Sequence, residues 1–479
     1  MNFVVFDITL LVLFVLVASI FLYRGRRNLK KEGWLLLYKT KWGIKLIEYI
    51  GGKYHRTLKV LSYVSIGLGY VLMAGMLYLV IRTVHIYLTT SISSVVRAPP
   101  IAPLIPYFPK LFGLESFFPP FYFVYFILAI LIVATVHEFS HGIFARRHGI
   151  RIKSTGFAFL KYFPAFFGAF VEQDDEQMNK KGKFEQMSIL SAGVFANVLV
   201  TILFYILLVL FFSFAFTASG VMFDSYPYSV LGVSGISMIN GVSIDDISYN
   251  NVLSLIEEEG FSKVTIKDKN YLINKDLLEN SNGKLLFEEG GKIALFDDAP
   301  AINAKLTGVI LSINEVVIDS REKLGDELMK YSPGDEIIIN AKTGKGIEGY
   351  KIVLGQNPND ENIPWLGIGF FSNEEGGVMG SIFNLVSSYK KPNVYYEPKY
   401  ELSVFITDLI WWIVIINLLV AMFNMMPIGI LDGGRFFYLT ILGITKSEKI
   451  AKRSFSVIGY LMLLALVALM IKWGMGFFN

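Results

Sequence analysis

Six apolar stretches dominate this chain, and each is long enough to cross a lipid bilayer. They cover residues 3–23, 60–90, 121–145, 188–218, 404–426 and 455–473. A hydrocarbon core about 30 Å thick is spanned by about 20 helical residues. No water reaches that core, so each segment must satisfy its own backbone hydrogen bonds. The chain is therefore expected to be a polytopic α-helical membrane protein. Composition agrees: 53% of the residues are hydrophobic and only 18% are charged, against roughly 25% charged in a soluble domain. A net charge of +4 is too small to argue for a nucleic-acid partner. With no cysteine in the sequence, disulfides, thiolate metal sites and cysteine nucleophiles are excluded.

The basic residues orient the segments. Arg24, Arg26, Arg27, Lys30 and Lys31 follow the first apolar run, whereas a cleaved signal peptide carries its charges before the run. The expectation is a retained anchor with its N-terminus outside and a cytoplasmic basic stretch at 24–59. Arg146, Arg147, Arg151 and Lys153 place the end of the third run at the cytoplasmic face. Lys180, Lys181 and Lys183 precede the fourth run, and Lys446, Lys449, Lys452 and Arg453 precede the sixth. The alternation is consistent at every step. Residues 98–120 carry seven prolines among aromatic residues and read as an ordered or interfacial loop, not a helix.

The third run holds the chemistry. Of five histidines, His137, His141 and His148 lie within twelve residues. His137-Glu138-Phe139-Ser140-His141 places two imidazoles at i and i+4, on one helix face, with Glu138 beside them as a candidate general base. Two neutral imidazoles suit Zn²⁺. Ionisable groups inside a membrane span are costly, about 2.5–3.5 kcal/mol for a charge at mid-helix, so three polar groups together need a common purpose. His148 shares the face but lies ~10 Å further along a straight helix, too far for the same ion. A third ligand must come from elsewhere. Glu172 is one candidate.

Asp432 is the better one. The fifth run ends in Asn424-Met425-Met426-Pro427-Ile428-Gly429-Ile430-Leu431-Asp432-Gly433-Gly434-Arg435. Pro427 removes a backbone donor and Gly433-Gly434 should loosen the chain. A broken helix at membrane depth belongs where the backbone is buried in protein or lines a wet cavity. The topology places Asp432 at the same end of the membrane as the histidines.

His137-Glu138-x-x-His141, Gly193-x-x-x-Asn197 and Asn424-x-x-Pro427-x-x-x-Leu431-Asp432-Gly433 stand in that order, each in an apolar run. Together they resemble the site-2 protease family of intramembrane zinc metalloproteases, over 121–218 and 404–445. The resemblance implies one Zn²⁺ per chain held by His137, His141 and Asp432, with Glu138 as catalytic base. It also implies that Asn197 and Asn424 bind substrate backbone or the oxyanion. Residues 156–172 are aromatic and β-prone, and in the family the corresponding segment is a membrane-associated hairpin or sheet beside the site. Such an edge would receive an unwound substrate by strand addition.

Residues 221–400 change character, with frequent charges and short β-type runs between turn residues. The topology places this insert outside. Residues 299–372 resemble a PDZ domain, with Gly308–Asn314, a helical stretch at 320–331 and Ser332-Pro333-Gly334-Asp335-Glu336. Gly235–Gly241 repeats part of the pattern, so 219–298 is expected to hold a first PDZ-like segment. The remaining boundaries are 1–120 for extra N-terminal spans and loop, 121–218 for the catalytic membrane core, 373–403 for a linker and 404–479 for the rest of the core. The expected partners are the lipid bilayer and transmembrane protein substrates trimmed beforehand by another protease, with no nucleic acid. The cell membrane is the expected location. Two alternatives stand beside this reading: a zinc peptidase of interfacial or soluble peptides with Glu172 as third ligand, and a non-catalytic metal-binding PDZ scaffold or transporter.

Overall fold

The computed structural model describes residues 3–89, 104–115, 118–244, 246–258, 260–267, 269–280, 287, 291–371 and 384–475. The chain forms two units. One contains residues 1–211 and 404–479, and the other contains 212–403.

The first unit starts with helix α1 (Phe3–Arg24), strands β1 (Leu29–Glu32) and β2 (Leu35–Thr40), and helices α2 (Ile44–Lys53) and α3 (His55–Thr89). The loop expected at 98–120 contains a helical turn, α4 (Phe108–Leu111). Pro109 fits there because the first turn of a helix leaves its N–H groups unpaired anyway; residues 98–103 lie outside the described residues. Then come α5 (Phe123–Arg147), β3 (Ile152–Leu160), β4 (Phe167–Gln173), α6 (Asp175–Asn179) and α7 (Lys183–Ala215).

The four strands form one antiparallel sheet in the order β1-β2-β3-β4. The expected hairpin at 156–172 is its β3–β4 half. The other half comes from the basic stretch, where Gly33 turns the chain with φ +58° and Glu32 faces Leu35. Two-residue hairpin loops require such positive φ values. Leu35 then pairs with Leu160 and Thr40 with Thr155. Ring contacts hold the β3–β4 turn against the helices: Phe166 meets Phe126 of α5 at 5.3 Å, and Phe167 meets Phe14 of α1 at 5.8 Å. Phe126 precedes His137 by roughly 16 Å of helix, so the sheet runs alongside α5 rather than beyond its end.

The second unit contains three β-sheets among the described residues. The chain enters through β5 (Phe216–Met222), then forms β6 (Tyr228–Gly232), β7 (Ile236–Ile239), β8 (Val242–Ser243), α8 (Tyr249–Leu255), β9 (Ser262–Ile266), β10 (Lys269–Ile273), α9 (Lys275–Asn280) and β11 (Lys292–Asp297). It continues with α10 (Pro300–Asn303), β12 (Val309–Ile313), β13 (Val316–Val317), α11 (Arg321–Leu328), β14 (Glu336–Thr343), β15 (Gly346–Val353), β16 (Gly355–Asn357), β17 (Asp360–Trp365) and β18 (Val394–Pro398). One sheet is ordered β6-β11-β10-β9-β7-β8, the second is ordered β15-β14-β12-β5-β18 with β13 beside β12, and β16 pairs with β17 as the third.

The unit contains an internal repeat: β7-β8-α8-β9-β10 has the same order and pairing as β12-β13-α11-β14-β15. The hinge residue matches as well. Asn240 and Asn314 have φ of 49° and 50°. Asn240 donates its N–H to Lys263 O and accepts Lys263 N–H on Oδ1, both at 2.8 Å. Asn314 makes the same pair with Ile338, at 2.7 and 2.9 Å. The sheets ignore the expected boundaries. β5 straddles 219, and β18, from the expected linker, pairs with it to extend the sheet assigned to 299–372. Residues 372–383 of that linker region lie outside the described residues.

The chain returns to the first unit through α12 (Ser403–Asn424), α13 (Asp432–Thr445) and α14 (Glu448–Met475). Among the described residues, six helices are long and apolar enough to cross a membrane: α1, α3, α5, α7, α12 and α14. They are the six expected segments, with ends shifted by a few residues. Many of their apolar side chains are exposed, including Val12, Leu16, Val64, Leu203, Leu210 and Leu464, as lipid-facing surfaces require.

Candidate metal centre

His137 and His141 lie on one face of α5, and both are buried. Their Nε2 atoms are 3.0 Å apart, with the rings near perpendicular at 80°. The third group arrives from a distant part of the chain. After α12 ends at Asn424, seven non-helical residues lead to α13, whose first residue is Asp432. Asp432 Oδ2 lies 3.2 Å from each histidine Nε2. These three residues form the one group, among those described, with ligand atoms close enough to share a metal ion. The start of a helix also favours a carboxylate, because free N–H groups and the helix dipole face it.

Gly433 and Gly434 do not loosen the chain. They are buried in the first turn of α13, and a β-carbon on either would run into the backbone of Met425, Met426, Ile428 or Gly429. They let this helix start press against the chain that precedes it. Arg435 then fastens the helix, donating to Asn179 Oδ1 at 2.7 Å and Gln186 Oε1 at 2.8 Å. It does not pair with Asp432.

Groups behind the ligands fix the rings. His141 Nδ1–H donates to Ile189 O at 2.7 Å, which leaves its Nε2 lone pair for an ion. Asn197 is fully buried, with its amide nitrogen 3.2 Å from His137 Nδ1 and its amide oxygen without a partner among the described residues. It stands behind His137 and does not line the cavity, so the substrate-side place expected for it is not where the fold puts it. The gap beneath both rings is kept by Gly193. A β-carbon there would sit 2.5 Å from His141 Nε2 and 2.7 Å from His137 Nε2.

A cavity of about 450 Å³ opens beside the three ligands, lined among others by Glu138, Val171, Gln173 and Asn424. Asn424, at the end of α12, is one of the cavity's lining residues. Glu138 Oε2 accepts a hydrogen bond from Val171 N–H at 3.0 Å. That bond shows that the outer edge of β4, the last strand of its sheet, faces the cavity. Glu172 points the other way, because neighbouring side chains of a strand face opposite sides. Lys39 donates to it at 2.7 Å and Ser154 also donates to it; the Lys39 ammonium and Ser154 hydroxyl hold its carboxyl below the usual carboxylate range. It is spoken for and cannot be the third ligand. His148 caps the end of α5 against Ser188, with Nε2 3.3 Å from the Ser188 hydroxyl, and is not among the grouped ligands.

Asp7 belongs to none of the sequence motifs. This fully buried carboxylate on α1 accepts from Tyr107 OH at 2.6 Å and from the backbone N–H groups of Phe123 at 2.7 Å and Val124 at 3.0 Å. It caps the helix that carries the histidines. An acid inside an apolar span is the signal that could have found it.

The sequence profile of peptidase family M50 matches residues 125–469. An uncharacterized protein of Methanocaldococcus jannaschii is 27% identical over 295 residues, which cover 60% of this chain and 74% of that protein.

Proposed function

The chain belongs to peptidase family M50, the site-2 family of membrane metalloproteases, and from that premise we propose that it is an intramembrane zinc endopeptidase. Its substrates are transmembrane segments, cut near the cytoplasmic face in regulated intramembrane proteolysis. One observation carries the reading: the convergence of His137, His141 and Asp432 at 3.0–3.2 Å beside Glu138 and an open cavity.

The donor set fits zinc. Ligands bound tetrahedrally at about 2.0–2.1 Å stand roughly 3.3 Å apart, close to the separations here. Two nitrogens and one carboxylate oxygen leave a fourth position open, as a catalytic site requires. The orphaned Asn197 oxygen also fits. With the amide turned end for end, it accepts Nδ1–H from His137 and leaves Nε2 for the ion, the usual outer partner of a metal-bound histidine. When bound, zinc supplies a Lewis acid that polarises the scissile carbonyl and lowers the pKa of water.

Glu138 takes a proton from the attacking water as that water adds to the peptide carbonyl, then hands it to the leaving amine as the C–N bond breaks. A helical substrate hides its carbonyls in its own hydrogen bonds, so it must unwind first. The outer edge of β4 receives the unwound segment as an added strand, and Asn424 faces it from the opposite element. The charge pattern supports a multi-pass protein with its N-terminus and insert extracytoplasmic, and the cell membrane is the location assigned to it in this reading. The insert, with its PDZ-like pattern and internal repeat, selects substrates already trimmed by another protease.

The test is cleavage of a transmembrane peptide by the full chain in lipid nanodiscs. Cleavage by the wild type that is lost in Glu138→Gln, with zinc content unchanged, supports the proposal. Equal function in both would favour a non-catalytic metal-binding scaffold or transporter.

A further inference from the structure

We infer that Gln173 binds the backbone of the extended substrate, taking over where the edge of β4 ends; this rests on the strand-addition reading above. Val171 and Gln173 are two residues apart on β4 and point their side chains to the same face, and both line the catalytic cavity. Val171 shows by its bond to Glu138 that the free edge of the strand faces the site. The strand stops at Gln173, and at Asp174 the chain turns into α6, with the Asp174 N–H bonded on the β3 side to Arg151 O at 2.9 Å. Past that point an added strand meets no further free edge.

The Gln173 side chain stands where the edge runs out. Its amide oxygen is buried and has no hydrogen-bond partner among the described residues. A buried acceptor left without a donor is costly, and natural proteins rarely keep one without a use. A peptide backbone supplies the matching donor at every residue except proline. A carboxamide presents an acceptor and two donors, much as a backbone peptide group does. Gln173 is thus a side-chain extension of the edge, accepting one substrate N–H whatever the substrate side chain.

The experiment measures binding in the Glu138→Gln background, where bound peptide is not consumed. The probe is a polyleucine peptide of about 25 residues with an internal Asn-Pro pair, in nanodiscs, together with a set in which one backbone amide at a time is replaced by an ester. Gln173→Leu keeps the volume and removes the acceptor. The expected result is a Kd raised about threefold to tenfold with zinc content unchanged. In addition, one ester position should weaken binding by the same factor with Gln173 present and by nothing further in Gln173→Leu. An unchanged Kd in Gln173→Leu, or ester effects that simply add to it, overturns the inference, and a bound water or a structural role would give that result. Failure of the parent reading looks different: the probe would not bind the Glu138→Gln protein even with Gln173 in place.

Discussion

Glu138 Oε2 accepts a hydrogen bond of 3.0 Å from the backbone N–H of Val171. The bond ties the candidate base to the edge of the strand on which the substrate is expected to lie. It also holds Glu138 beside the ligand histidines without making it a ligand. Glu138→Gln keeps an acceptor for Val171 N–H and leaves the three grouped donors untouched. It should retain zinc and fold while peptide hydrolysis falls about 10²–10⁴-fold, as checked by metal analysis and cleavage rate on the same preparation.

Gly193 is the floor of the candidate metal site. The β-carbon in Gly193→Ala falls 2.5 Å from His141 Nε2, a separation that forces the ring away from the convergence point. The variant should lose most of its bound zinc and its activity together. Equal zinc in the mutant and the wild type would mean that the rings can shift without cost.

Asp7 accepts three hydrogen bonds, two of them from the first turn of α5. Asp7→Ala leaves those donors buried and unpaired and should destabilise the protein by about 2–4 kcal/mol. Asp7→Asn keeps an acceptor and should lose less than half as much. Thermal unfolding in detergent gives the comparison, and equal melting temperatures for all three proteins would contradict the cap.

His148 gives stability a pH dependence. Burial and the adjacent Arg147 guanidinium push its imidazole down from 6.5 to about 4. The unfolded chain therefore takes up a proton near pH 6.5 that the folded chain refuses until about pH 4. The unfolded state gains protons first, so this contribution is full above pH 6.5 and falls as the pH drops towards 4. The melting temperature should decline over that window, and His148→Gln should flatten the decline. An unchanged slope in the variant would assign the effect to other groups.

The sequence made the chemistry legible because metal ligation and helix geometry act at fixed spacings. His137 and His141 four residues apart, and an aspartate after a proline break, carry their own geometry. What stayed hidden depends on partners far along the chain. β1 and β2 lie within a stretch rich in arginine and lysine, where charge suggests orientation and masks the Leu35–Thr40 strand. β5, β12 and β18 join one sheet from positions 216–222, 309–313 and 394–398, and no local pattern encodes that pairing. Gly433 and Gly434 show the same limit. Their sequence suggested looseness, and only the backbone pressed against them reveals a tight helix start. The place of Asn197 behind His137 likewise follows from how α5 and α7 pack, which no local pattern encodes.

α5 and the start of α13 together build one candidate metal site. Zinc per chain, measured in purified wild type beside Asp432→Ala, tests it most directly. About one zinc in the wild type and close to none in the variant is the expected result. A full complement of zinc in Asp432→Ala would contradict it, because the third ligand would then lie elsewhere and the site as assembled here would be wrong.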